Sequence, residues 1–120
     1  MELPMNELSR EDKTAAAKVR MAELAAKFLN RTRADIASMR GGLARLAAGE
    51  AGAIGDIRHL AHRMVGTGAT LGFASISERA HTIEQLAEAC VPGVVPDEAC
   101  QTALAEAVNA LESVSGREHQ

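Results

Sequence analysis

The chain has 120 residues, 47% of them hydrophobic, with 13 Lys and Arg against 16 Asp and Glu and a net charge of −3 at pH 7. That length suits one domain around one modest core. Two Phe and no Trp or Tyr offer few rings for stacking on single-stranded nucleic acid, and scattered basic residues give no positive stripe for a phosphate backbone.

No apolar run approaches the roughly 20 residues of a membrane span. The opening MELPMNELSRED lacks the positive-then-apolar order of a secretion signal. A cytoplasmic protein is therefore expected, with neither membrane nor nucleic acid among its partners.

Residues 1–13 read as a flexible or partly helical segment, 14–116 as a helical domain and 117–120 as a tail. The first helix is predicted over Thr14 to Ala48. Ala22, Leu29, Ile36 and Leu43 recur every seven residues, joined by Ala25, Thr32, Met39 and Leu46; together they form the seam of a bundle helix. Gly41-Gly42 allows a bend near its end. A second helix runs from about Ala53 to Thr70. Gly72 stops it, and Ser75 with Glu78 three residues on has the spacing of a capping box. The third helix covers about Ile76 to Cys90, with Ile76, Ile83, Leu86 and Cys90 on one side. VPGVVPD breaks the chain, Asp97 is the expected N-cap of the fourth helix, and Gly116 is its expected end. Cys100, Leu104, Ala107, Leu111 and Val114 make the fourth apolar stripe. Short connections favour antiparallel neighbours, so the fold class is all-α: an up-down antiparallel four-helix bundle with room for an extra N-terminal helical segment. Cys90 and Cys100 flank the Pro-Gly connection without histidine nearby and read as small buried apolar residues, not as a metal or disulfide site.

The second helix holds LAHRMVGTGATLGF, where glycines follow a histidine although each mid-helix glycine costs up to about 1 kcal/mol against alanine. At about 100° per residue, Leu60, Met64, Ile57 and Leu71 all fall within about 40° of the side opposite His62. They belong to the core, so His62 faces out. Arg58, His59, Gly66 and Ala69 share its face. A glycine four residues after the histidine leaves one flank of the imidazole bare, and another protein's surface can approach the ring.

His81 and Glu84, three apart, share a face of the third helix and lie off its apolar stripe. In an antiparallel pair this flank could lie beside His62. A carboxylate accepting from one ring nitrogen would fix the tautomer and leave the other nitrogen free as a nucleophile. An ordinary solvated charge is the alternative reading of Glu84.

HRMVGTGATLGF resembles the signature of histidine-containing phosphotransfer (HPt) domains: His, an apolar residue two on, Gly four on and Gly ten on, filled here by His62, Met64, Gly66 and Gly72. ISERAHTIEQL is similar to the helix that follows in that family. The nearest likeness is to the phosphotransfer domain of chemotaxis histidine kinases, which carries a histidine and a glutamate at the spacings of His81 and Glu84. The likeness covers about residues 20 to 115. It implies that His62 accepts a phosphoryl group on Nε2 while Glu84 and His81 supply orienting hydrogen bonds. Its partners would be a response-regulator receiver domain and a histidine kinase. The receiver would bring the acceptor aspartate and Mg²⁺, and this chain would bind no cofactor or metal of its own. One position departs: the family commonly has lysine three residues after the histidine, where this chain has Val65, so Arg63 or Arg58 would supply the cation. Docking would use Val65, Gly66 and Ala69.

Two other readings fit parts of the sequence. His59, His62, His81 and Glu84 could offer metal ligands between two helices, but no ligand set stands on the first or last helix. A non-catalytic interaction module would dock a receiver or kinase without carrying phosphate.

Overall fold

The computed structural model describes residues 5–118, with side chains from residue 10 onward. Of the expected N-terminal segment residues 1–4, and of the expected tail residues 119–120, lie outside the described residues. Four helices follow in order: α1 (Met5–Ala47), α2 (Ala53–Leu71), α3 (Ala74–Glu88) and α4 (Glu98–Glu118). Each packs on two neighbours, in the closed order α1, α2, α3, α4 and back to α1, and no strand occurs among the described residues. The all-α four-helix bundle is the architecture that the apolar stripes and short connections imply.

The core collects one stripe from each helix. Ile36, Met39 and Leu46 come from α1, Ile57, Ala61 and Met64 from α2, Ile76, Ala80 and Ile83 from α3, and Leu104, Val108 and Leu111 from α4. Each buried Leu, Ile or Met contributes about 1.5–3 kcal/mol relative to an exposed one, and this shared burial outweighs the weak helix propensity of the β-branched residues.

α1 begins at Met5, not Thr14, and its residues 10–24 are all exposed. The seven-residue repeat therefore splits: Ile36 is buried and Leu29 and Leu43 are half-buried, whereas Ala22 is exposed and Ala25 only half-covered. Val19 and Met21 stand 59% and 48% exposed. The Phe28 ring reaches Gly68 near the end of α2, so the α1 residues before about 24 project past the bundle.

Gly42 does not interrupt α1. A Cβ there would meet Ile57 Cγ1 at 2.9 Å, so the missing side chain lets α2 close on α1. Gly72 ends α2 with φ +86°, a left-handed geometry that glycine adopts without steric cost. The expected cap at Ser75 does not form. α3 starts at Ala74 behind Phe73, with no side-chain cap bond. The Phe73 ring instead stacks on Phe28 at 5.3 Å between centroids, and Phe73 N–H donates to the Gly68 carbonyl at 2.8 Å. Ring packing and this backbone bond fix the turn, so no hydroxyl is needed. Asp97 does cap α4: its Oδ1 accepts from Cys100 N–H at 2.8 Å. Gly116 is carried inside α4, which continues to Glu118.

Candidate functional site

The turn at Gly72 folds α3 back along α2 and sets the middle of one helix against the other. His62 projects from α2 with 70% of its side chain exposed, and its Nδ1–H donates to Glu84 Oε2 of α3. The Glu84 side chain is only 10% exposed, so a largely buried carboxylate anchors an exposed ring. With Nδ1 donating, the neutral ring presents Nε2 as its unprotonated nitrogen. His81 Nδ1 lies 3.6 Å from the other carboxylate oxygen, Oε1. That is ion-pair distance when His81 is protonated and too long for a hydrogen bond. The structure thus brings His62, Glu84 and His81 into one cluster, and Glu84 is not a free solvated charge.

The register of α2 against α3 has its own lock. Ser77 Oγ donates to the Val65 carbonyl at 2.8 Å, a cross-helix bond one turn beyond His62. Val65 itself is half-buried and packs against the core, so it is not the exposed docking residue expected of it. Gly66 and Ala69 are exposed. A Cβ built on Gly66 would find nothing within 4 Å. Helix packing does not require glycine there, and the space beside the imidazole stays open.

On the flank away from α3 a groove of about 660 Å³ runs between α1 and α2, with Phe28, Arg31 and Asp35 on one wall and His62, Arg63, Gly66 and Thr67 on the other. Arg63 Nη2 stands 3.8 Å from Asp35 Oδ1, and Arg63 Nε is buried without a hydrogen-bond partner. Burial raises the Asp35 carboxyl above its ordinary range, against the pull of Arg63 and Arg31. Arg58 is exposed and lines a different hollow, with Ile54, Glu88 and Val91 beside the α3–α4 connection. Of the two arginines singled out in the sequence, Arg63 is the one that shares a groove with His62.

Sequence reasoning passed over Asp35, Arg31 and Lys27, all of which line this groove. A signal existed: Asp35 lies seven residues after Phe28, on the same side of α1. His59 is exposed. Among the described residues no three His, Cys, Asp or Glu side chains converge as metal ligands, and no helix is long and apolar enough to cross a membrane.

The family model for the Hpt domain matches residues 23–114, which span the bundle and omit most of the projecting half of α1. No curated protein and no solved structure is significantly similar to the chain.

Proposed function

The chain belongs to the Hpt-domain family, whose role is phosphotransfer in phosphorelays together with histidine kinases and response regulators, and on that premise we propose that His62 is the phosphoryl carrier. The observation that supports it is the pairing of an exposed imidazole with the largely buried carboxylate of Glu84, beside the open flank at Gly66.

His62 Nε2 attacks the phosphorus of an aspartyl phosphate on a receiver domain. The Nε2–P bond forms, the P–O bond to the aspartate breaks, and the carboxylate leaves with the electron pair. The ring then bears positive charge shared with Nδ1–H, and Glu84 steadies it through the hydrogen bond already made. The reverse sequence returns the group to a receiver. Mg²⁺ belongs to the receiver side in this reading, where it neutralises phosphoryl oxygens. Arg63 lines the groove beside the ring and offers the cation that Val65 cannot. Docking runs over Gly66 and Ala69.

The test is transfer of radiolabelled phosphate from a phosphorylated receiver, or from a cognate kinase, to the purified chain. The wild type should take up an acid-labile, base-stable label and His62→Gln none. Label retained by His62→Gln overturns the reading. A complex with the receiver that forms without any label marks the chain as a docking module.

A further inference from the structure

Cys90 and Cys100 take no part in this chemistry, yet they are the chain's only two cysteines and they meet. Cys90 follows the last turn of α3, its thiol donating to the Leu86 carbonyl at 3.4 Å. Cys100 sits in the first turn of α4, its backbone N–H held by Asp97. Their sulfurs lie 3.5 Å apart and both residues are half-buried, so they are not the sealed apolar filler that composition suggested. A disulfide needs about 2.05 Å between sulfurs, so the two must approach by about 1.5 Å to bond.

We propose that Cys90 and Cys100 form an oxidative modification site, at which hydrogen peroxide converts the two thiols into an intramolecular disulfide joining the end of α3 to the start of α4. The sulfur of Cys100 attacks one peroxide oxygen, the O–O bond breaks, and the departing hydroxide takes the thiol proton to leave as water. The resulting sulfenic acid is attacked by the Cys90 sulfur. The S–S bond forms, the S–O bond breaks, and the Cys90 proton leaves with the hydroxyl as a second water. Two thiols lose two electrons, and one peroxide is reduced to two waters. Burial, together with the hydrogen bond and charge of Cys100, pushes the Cys90 thiol up to about 11, so its thiolate is scarce at neutral pH. The same disulfide and the same two waters result whichever of the two sulfurs meets the peroxide first.

The bond would close a ring over residues 90–100, which carries the exposed Val91 and Val94 and two of the three prolines. A crosslink that fits the native geometry restricts the unfolded chain more than the folded one, so the oxidised protein should be the more heat-resistant form. This inference is independent of the role given to His62, and His62→Gln should leave it unchanged.

The experiment treats the full reduced chain with a few equivalents of hydrogen peroxide. It follows intact mass, free thiols, and migration on a non-reducing gel. The expected product is a monomer that has lost two hydrogens and both titratable thiols, melts about 5 °C or more above the reduced form, and reverts with dithiothreitol. Cys90→Ser and Cys100→Ala should each abolish that product. A covalent dimer, added oxygen atoms without loss of two hydrogens, thiols that survive treatment, or a disulfide that lowers the melting temperature would each overturn the proposal.

Discussion

The two flanks of His62 are built for opposite purposes. On the α3 side the space is filled: Glu84 is largely buried and bonds the ring, His81 closes behind it, and Ser77 pins the neighbouring turn to the Val65 carbonyl. On the α1 side the same helix borders an open groove. There Arg63 pairs with Asp35 at 3.8 Å, the arginine side chain 39% exposed and the aspartate 15%. A nucleophile that must meet a partner needs both conditions at once. One side fixes which nitrogen is free, and the other leaves room for what that nitrogen will touch. The fixed side rests on a hydrogen bond to a largely buried carboxylate, which loses much when cut; the open side rests on the longer contact between Arg63 and Asp35, which loses less.

Substitutions on each flank can break that contrast. Glu84→Ala should lower the rate of phosphoryl uptake by roughly 10- to 100-fold, the equivalent of about 1.5–3 kcal/mol for a hydrogen bond to a charged group. Circular dichroism should show an unchanged helix content. A rate within twofold of wild type would mean that the filled side does not orient the ring. Gly66→Leu should weaken receiver binding about tenfold by crowding the bare flank, while raising stability by up to about 1 kcal/mol because leucine is the better helix former. Calorimetric titration and thermal melts read the two effects separately, and both must move in the stated directions.

Smaller effects belong to the groove. Arg63→Ala should slow transfer by up to about fivefold, the scale of a partly exposed charge contact, while Arg58→Ala, in its separate hollow, should slow it less. Rapid-quench kinetics on the two variants decide between the arginines, and the reverse order would reassign the cation.

The smallest effect is one of pH. Burial raises the folded-state pKa of Asp35, so the native state binds the proton more tightly than the unfolded chain does. Stability contributed by this group is therefore greatest below the unfolded carboxylate value of about 3.9. It declines as pH rises through the folded-state value, with the native state binding more protons across that window. Asp35→Asn should remove this decline. Urea midpoints measured from acid to neutral pH should converge at the acid end and favour the variant at the neutral end.

What could be read from the amino-acid order follows the same division. Ile36, Met39 and Leu46 declare the core face of α1 by spacing, and Ile57 and Met64 turn His62 outward, because one helix's periodicity needs no knowledge of its neighbours. The partnership of His81 and Glu84 is likewise local, three residues apart on one helix. Asp35 and Arg63 meet only across two helices whose register the sequence does not state. Ser75 looks like a cap, but Phe73 stacking on Phe28, a contact between residues 45 positions apart, moves the start of α3 ahead of it. The seven-residue repeat also runs unchanged through Ala22, giving no sign of where α2 would stop covering α1.

The projecting half of α1 has a hydrodynamic consequence. The chain measures 74 Å along its longest axis with a radius of gyration of 19.2 Å, where a compact globule of this length would come to about 13–14 Å. A single copy therefore tumbles and elutes like a much heavier particle. Column retention alone would count two molecules where light scattering finds one.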